Sequence, residues 1–195
     1  DGQEVFIEAS DGAANVLTAA DAAALMAEQD TTDVIIPDGF TSIGDDAFRD
    51  TALTSVVIPD SITSIGTTAF QGTQLTSAVI GDGVTSIGAA SFYHTPLTSV
   101  DLGNGVTSIG VHAFEGTQLT SVEIPDSVTS IGSYAFNNTN LTSVDIPEGT
   151  TYEGNSFDSG IQIYTYTPIV EGADSADGAP ALSLDVGSDS GISDA

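Results

Sequence analysis

The 195-residue chain lacks cysteine and lysine, and its single strong base, Arg49, stands against 28 acidic residues. Without cysteine, the chain has no disulfide bonds, no thiol catalysis and no cysteine-based zinc site. The formal net charge of −27 makes nucleic acids and anionic membranes electrostatically unfavourable partners. No apolar run approaches the roughly 18 residues that a membrane-spanning helix needs. The sequence therefore predicts neither nucleic-acid binding nor membrane insertion.

The excess of acidic side chains has a simple interpretation as a solvated anionic surface. Such a surface keeps a protein soluble, and it is typical of a halophilic or marine environment, where salt screens the repulsion between like charges. The alternative is that some of the carboxylates gather cations.

A 22-residue repeat dominates the sequence between Leu53 and Asn140, where four consecutive blocks each begin Leu-Thr-Ser. A weaker block precedes them at Thr31 and a decaying one follows at Leu141, which predicts six turns. A fixed period of about 20–50 residues is typical of a solenoid, whose turns bury apolar faces against their neighbours. Each block also carries Leu-x-x-Val-x-Ile or a close variant of it, with Ala78 and Leu102 as the substitutions, which is the strand signature of a leucine-rich repeat.

Period-2 alternation within one block predicts that Val56 and Ile58 point into the core, while Val57 lies on the open face. A turn follows at 59–61, and a second short extended segment ends at Gly66. A column of phenylalanines, which supplies large apolar area, closes each turn from inside. Its members are Phe48, Phe70, Phe92, Phe114 and Phe136.

The recurring segments Val-Thr-Ser-Ile-Gly-x-x-Ala-Phe and Ile-Pro-Asp-Ser-Val resemble the BspA-like class of leucine-rich repeats, from Thr31 to about Phe157. The resemblance implies a β-rich solenoid with a parallel sheet on its concave face. It also implies a kind of domain that is common in bacterial and protist surface proteins, often used for adhesion or host contact, and not known as a catalytic family. It carries no residue-level binding site over to this chain.

Both ends of the repeat region depart from the pattern and are predicted to cap it. At the N-terminal end, Glu4 to Ala9 is typical of a strand, and Ala19 to Gln29 is typical of a helix with Thr18 as its N-cap. The predicted organisation is therefore a strand-plus-helix cap over 1–30, a leucine-rich repeat solenoid with a terminal cap strand over 31–168, and an acidic Gly/Ser/Asp/Ala linker or tail over 169–195. The tail is expected to be flexible, because it has too little apolar surface to offset the entropy of ordering.

At the C-terminal end, Glu153 stands where the inner turns have a buried isoleucine, as expected of a terminal turn. Ile161, Tyr164 and Tyr166 repeat the Leu-x-x-Val-x-Ile spacing, so we expect a last strand there, with Tyr164 and Tyr166 in the valine and isoleucine positions. Pro168 ends it.

The open-face position after Val56 changes chemistry along the stack, from aliphatic in the first three turns to acidic in the next three. An aliphatic patch on an exposed strand face suits a binding partner, or packing by the N-terminal cap. The predicted ligand-binding residues are Ile35, Val57, Val79, Asp101, Glu123 and Asp145, together with Tyr93 and His94. Tyr93-His94 departs from Gln71-Gly72 of the preceding turn, and His112 and Tyr134 occupy one equivalent position in neighbouring turns. Such departures mark either a binding position or tolerated loop variation.

Carboxylates grouped near this acidic half are hard oxygen ligands that suit weak binding of calcium or another cation. The predicted metal-binding residues are Asp101, Glu123, Asp145, Asp126 and Glu148. No calcium-loop motif supports the prediction, and Asp at a turn also has a structural role, because it hydrogen-bonds its own backbone. No other cofactor is predicted.

Threonine columns, at Thr51 and Thr54 and their equivalents in the following turns, have two interpretations. Their hydroxyls either bond to backbone within the coil or order water as an ice-binding surface does; the first is favoured because the columns do not form an alternating Thr-x-Thr strand.

Catalysis finds no support in the sequence, because the two histidines, His94 and His112, lie in no nucleophile-base-orienter arrangement. We therefore predict a non-catalytic recognition or adhesion module, extracellular or at the cell surface, that binds a protein or glycan through its concave face. A signal peptide is not visible in this chain. The alternative is a structural surface-layer or fibre subunit, a spacer of stacked repeats with end-to-end self-association.

Overall fold

The computed structural model describes residues 15–29 and 32–168, which form one α-helix and thirteen short strands. In chain order the elements are β1 (Val16–Leu17), α1 (Ala19–Gln29), β2 (Asp33–Ile35), β3 (Ser42–Ile43), β4 (Ser55–Ile58), β5 (Ser64–Ile65), β6 (Ser77–Ile80), β7 (Ser86–Ile87), β8 (Ser99–Asp101), β9 (Ser108–Ile109), β10 (Ser130–Ile131), β11 (Ser143–Pro147), β12 (Thr151–Tyr152) and β13 (Gln162–Tyr166). The predicted strand from Glu4 to Ala9 and the predicted linker at 169–195 lie outside the described residues.

Parallel pairing between successive turns builds the predicted solenoid. The longer strands form a four-stranded sheet in the order β2-β4-β6-β8 and a separate pair, β11-β13, while the two-residue strands form a second sheet in the order β1-β3-β5-β7-β9-β10-β12. Ser55 pairs with Ser77 and Ser77 with Ser99, so each step along the four-stranded sheet is one 22-residue repeat. The short-strand sheet has one strand more than the six predicted turns, because β1 already pairs with β3.

The core lies between the two sheets and follows the predicted alternation. Val56 and Ile58 are each 1% exposed, whereas Val57 between them is 41% exposed. The phenylalanine column is confirmed as a continuous stack of nearly parallel rings, with centroids 5.0–5.4 Å apart, and it continues to Phe157 in the last turn. Because each turn adds one ring, the apolar interior is continuous along the whole stack.

Threonine hydroxyls satisfy backbone carbonyls throughout the coil, as expected of the favoured interpretation. Within a turn, Thr73 Oγ1 donates to the carbonyl oxygen of Phe70 at 2.9 Å. Between turns, Thr98 Oγ1 donates to the carbonyl oxygen of Thr76 at 3.0 Å. The threonine columns are therefore explained by hydrogen bonding that holds the turns together.

Glycine follows five of the seven short strands, β3, β5, β7, β9 and β10, because the turns approach too closely there for a side chain. A Cβ added at Gly88 would lie 2.6 Å from the carbonyl carbon of Gly66, and one at Gly66 would lie 2.6 Å from that of Gly44. These distances are well below van der Waals contact, so the glycine ladder sets the close spacing on this side of the solenoid.

The helix α1 caps the first turn as predicted. The Thr18 hydroxyl accepts a 3.4 Å hydrogen bond from the backbone N–H of Asp21, while the Asp21 carboxylate accepts from the backbone N–H of Thr18 at 2.8 Å. This reciprocal pair satisfies donors at the start of the helix. Leu25 is fully buried against the first turn. The Gln29 amide bonds to both the N–H and the carbonyl of Ile35, so it covers part of the edge of β2.

The last strand, β13, is confirmed, but the predicted alignment of its residues is wrong by one position. Ile163, not Tyr164, pairs with Val144, and Tyr164 pairs with Asp145. Because side chains alternate between faces, this shift moves Tyr164 from the core to the open face, where it is 49% exposed. The cause is a shortened last turn: Ser143 pairs with Gln162, an offset of 162 − 143 = 19 residues instead of 22.

The expectation that Glu153 takes the isoleucine position is also wrong, because the step from β10 to β12 is 152 − 131 = 21 residues instead of 22. Tyr152 pairs with Ile131, and its ring packs edge-on against Phe157 with the centroids 6.0 Å apart. Both Tyr152 and Glu153 are exposed. The regular isoleucine column therefore ends at Ile131.

The long-strand pattern is interrupted at 121–124, which belong to no strand in the described part of the chain. As a result, β8 and β11 are not joined into one sheet. The neighbouring residues Val100 and Val122 are half-buried, whereas Val56 and Val144 are buried. The predicted regular strand of this turn is wrong.

Repulsion between carboxylates gives a physical reason for the interruption. A continuous ladder would stack Asp101, Glu123 and Asp145 about 4.8 Å apart, and like charges directly opposite one another destabilise a sheet. In the observed pairing, Asp101 lies opposite Val79 and Asp145 opposite Tyr164. Each paired carboxylate thus has an uncharged neighbour.

Replacing Ser91 by alanine is expected to raise the free energy of unfolding by about 1 kcal/mol. Ser91 is fully buried where other turns have alanine, and its Oγ has no hydrogen-bond partner among the described residues. Chemical denaturation followed by circular dichroism measures the change. The reverse substitution at the matching position, Ala113→Ser, should destabilise; a loss of stability in Ser91→Ala would contradict the prediction.

Candidate binding surfaces

The outward side of the longer strands, here called the long-strand face, carries the predicted change from aliphatic to acidic residues. Ile35, Val57 and Val79 are 66%, 41% and 44% exposed, and their strands pair in register, so the three side chains form one column. Asp101 pairs with Val79 and continues that column. The sequence correctly placed these four residues side by side.

A second column on the long-strand face is mostly serine and begins at Asp33. The Asp33 carboxylate accepts hydrogen bonds from the hydroxyls of Thr54 and Ser55 at 2.7 and 2.8 Å. These bonds stabilise the charged form and hold the pKa of Asp33 below its ordinary value. The aliphatic column is therefore flanked by small polar groups.

The acidic half of the face is organised around Tyr166. Its hydroxyl donates to the carbonyl oxygen of Ile124 at 3.0 Å and to Asp126 Oδ1 at 2.8 Å, so it reaches into the interrupted turn. Partial burial, the bond to Asp126 and the nearby charges of Glu123 and Asp145 raise the pKa of Tyr166 to about 12. The neutral phenol thus satisfies a carbonyl that has no strand partner.

The five predicted metal-binding carboxylates are not brought together as a metal site would need. No group of three or more His, Cys, Asp or Glu side chains suited to an ion occurs in the described part of the chain. Asp126 accepts from Tyr166, and Glu148 accepts from Thr167 Oγ1 at 2.7 Å. Cation binding stays a prediction without geometric support.

Tyr93 and His94 belong to a larger group, which we call the aromatic cluster: Tyr93, His94, His112 and Tyr134. The rings of His112 and Tyr134 are parallel, with an interplanar angle of 2° and centroids 5.1 Å apart. Tyr93 stands nearly perpendicular to His94 at 4.1 Å and to His112 at 6.3 Å. Three successive turns therefore contribute rings to one surface.

Left-handed backbone conformations recur at two positions in each turn, and three rings of the aromatic cluster stand on them. The φ angles are +54° at His94, +60° at His112 and +61° at Tyr134. Other turns have glycine at the position of His94, at Gly72 and Gly116, where a positive φ carries no steric penalty.

Neighbouring residues hold the cluster in place. The His94 ring lies directly over Gly116, because a Cβ at Gly116 would come within 3.1 Å of His94 Nδ1. On the next turn, His112 Nδ1 is in close contact with the Glu115 carboxylate. The His94 ring is thus positioned by the adjacent turn, and the His112 ring by a residue of its own turn.

An open depression of about 460 Å³ lies over the short-strand sheet. Its lining includes Val111 and Ser133, which immediately precede His112 and Tyr134 in the chain, so the depression adjoins the turns that carry the aromatic cluster. Hydroxyl-bearing residues and one carboxylate complete much of the wall: Ser108, Ser130, Thr151, Tyr152 and Glu153.

Sequence reasoning missed Glu115 and this depression, and it noted His112 and Tyr134 only as an equivalent pair. The available signal was the 22-residue offset, which places 112 beside 134 in adjacent turns. Contacts between different columns, such as Tyr93 with His112, have no such signature.

The parallel 22-residue turns, with their Leu-x-x-Val-x-Ile strands and stacked core, define a leucine-rich repeat solenoid. Residues 21–118 and 85–167 match the sequence pattern of the BspA type leucine rich repeat region, in six copies. The chain belongs to this family, whose fold is commonly used in surface or protein interactions. The recognition made from the sequence is confirmed.

Solved structures of similar proteins come from bacteria. A leucine-rich repeat protein from Eubacterium ventriosum ATCC 27560 is 28% identical, with a TM-score of 0.49, and the match covers 58% of this chain and 32% of that one. A leucine rich cell surface protein from Faecalibacterium prausnitzii A2-165 is 30% identical, with a TM-score of 0.46, covering 68% and 47%. A leucine-rich repeat protein from Bacteroides ovatus ATCC 8483 is 20% identical, with a TM-score of 0.44, covering 70% and 52%.

This chain therefore spans about a third to a half of the length of those three proteins. None of the curated proteins matches it. Among the described residues, no helix is both long and apolar enough to cross a membrane.

The pKa of Tyr166 predicts a loss of stability at high pH. Because its pKa is about 12 in the folded protein, above the ordinary value of 10.0, the folded state holds this proton more tightly than the unfolded chain. The stabilisation is complete below pH 10 and is lost as the pH rises through about 12. Denaturation of the wild type and Tyr166→Phe at several pH values measures it: the variant should lose less stability than the wild type between pH 10 and 12, and equal losses would contradict the assignment.

Proposed function

We propose that this protein is a non-catalytic recognition module of a cell surface, which binds a protein partner through the long-strand face. The observation that carries the proposal is the in-register column in which exposed aliphatic side chains are followed by carboxylates. A monomeric solenoid has no need of an aliphatic column in water, so exposed Ile35, Val57 and Val79 are best explained by a partner. The surface location rests on membership of the BspA-type family.

The chemistry of the column defines the partner. Apolar groups of the partner would cover the aliphatic half, and lysine or arginine would face Asp101 and Asp145. A second copy of this chain is disfavoured, because each copy carries a formal charge of −27. The segments 1–14 and 169–195 are disfavoured as occupants for the same reason, since their charged side chains are all acidic.

Mutating each half of the column tests the proposal separately. Val57→Thr with Val79→Thr removes apolar contact while keeping β-branched side chains, and Asp101→Asn with Asp145→Asn removes charge at nearly constant shape. Biolayer interferometry against purified extracellular-matrix proteins and other basic proteins should show binding that either double variant weakens at least about tenfold. Binding should also fall as salt rises, because the charges at the rim of such a face are screened.

Matched controls are available elsewhere in the chain. Val16→Thr changes an aliphatic residue that is 37% exposed on β1, and Glu28→Gln removes an exposed charge on α1. Both controls should bind like the wild type. Binding that survives all the long-strand-face variants would reject this face as the site, and end-to-end filaments seen by electron microscopy with those variants would favour the structural-spacer alternative.

A further inference from the structure

The aromatic cluster places rings where the backbone disfavours them. Left-handed positions favour glycine, asparagine or aspartate, and large side chains there cost free energy that surrounding structure must offset. In the same two repeat positions, other turns have Asp46, Asp50, Thr68, Gly72, Ala90, Gly116 and Asn138, all of them smaller than a histidine or tyrosine. Only His94, His112 and Tyr134 place aromatic rings at these positions among the described residues, in three consecutive turns, and the fold itself does not require rings there.

Core packing does not explain these rings. The interior of the same turns is filled by the phenylalanine stack, whereas Tyr134 is 40% exposed and the His112 side chain 42% exposed. His94 is also exposed and Tyr93 is half-buried. The four rings therefore present apolar faces and edges to solvent, at a cost in stability, which is the pattern of a binding site.

Residues around the aromatic cluster hold its rings in fixed positions. His94 lies over a glycine whose lack of a side chain makes room for the ring, and His112 is held by Glu115. Rings that are already ordered lose little conformational entropy when a ligand binds. The parallel pair His112 and Tyr134 and the perpendicular ring of Tyr93 together form a corner.

We propose that the aromatic cluster and the adjoining depression bind a neutral oligosaccharide. The apolar C–H face of a sugar ring packs against an aromatic ring, and sugar hydroxyls pair with carboxylate, phenol and serine or threonine hydroxyl groups. The cluster supplies the rings, Glu115 beside His112 supplies a carboxylate, and the depression supplies the hydroxyls of Ser108, Ser130 and Thr151. Its volume of about 460 Å³ is in the range of small-ligand sites and leaves room for sugar units beyond the first.

The net charge of the protein limits which class of sugar can bind. With a formal charge of −27, the protein repels sulfated glycans and glycans rich in uronic acid, but it carries no penalty against uncharged sugars. This site uses different residues from the long-strand face, so it does not depend on the function proposed for that face.

The test uses variants that relieve backbone strain while removing a ring. Tyr134→Gly places at φ +61° the residue that this conformation favours, so the protein should remain folded with an unchanged or higher melting temperature. Thr68→Gly is the matched control, because Thr68 occupies the same repeat position, at φ +54°, outside the cluster. A loss of binding in Tyr134→Gly alone cannot then be attributed to unfolding or to the glycine.

Isothermal titration calorimetry with cellohexaose, maltohexaose, mannohexaose and xylohexaose measures binding, with heparin and polygalacturonate as anionic probes. The chain has no tryptophan, so the intrinsic fluorescence comes from tyrosine and gives a second readout. At least one neutral hexasaccharide should bind the wild type and Thr68→Gly equally. Tyr134→Gly and Tyr93→Ala should each weaken that binding about tenfold or more.

Three results would overturn the proposal: no binding of any neutral hexasaccharide, binding only of the anionic probes, or neutral binding that Tyr134→Gly and Tyr93→Ala leave unchanged. The Val57→Thr, Val79→Thr variant of the long-strand face should retain sugar binding. If that variant alone lost sugar binding, the sugar would be assigned to the long-strand face and the aromatic cluster rejected.

Discussion

Parallel backbone pairing between turns holds each residue about 5 Å from its copy one repeat away, and the rest of the structure depends on this spacing. Phenylalanine fits its repeat position because each ring stacks on the equivalent ring of the next turn, with centroids 5.0–5.4 Å apart. Glycine follows the short strands of the inner turns because the neighbouring backbone leaves no room for a Cβ there. A residue in this solenoid is selected mainly for how well it packs against its own copy.

The same constraint explains where the repeat fails. Carboxylates do not stack well on themselves, and the long-strand ladder is interrupted where Asp101, Glu123 and Asp145 would have met. Tyr166 then compensates, because its hydroxyl donates to the carbonyl of Ile124, which lacks a strand partner. His112 and Tyr134 show the opposite outcome, since two flat rings fit the spacing and pack in parallel at 5.1 Å.

Repetition also divides the surface into columns with separate chemistry, so one small domain presents two distinct faces. The long-strand face combines aliphatic and acidic groups, which suits a protein with apolar and basic side chains. The aromatic cluster combines rings, one carboxylate and neighbouring hydroxyls, which suits an uncharged sugar. The strong negative charge acts on both faces, because it repels anionic ligands from each.

The sequence alone determined the solenoid, the core positions, the helical cap and the column from Ile35 to Asp101, because each of these depends on short-range periodicity or on the 22-residue offset. Only the tertiary structure decided the register of β13, where a shortened turn moved Tyr164 to the open face. It also decided the break at 121–124 and the meeting of Tyr93 with His112. These features arise from repulsion and packing between different turns and columns, and such through-space interactions leave no period in the sequence.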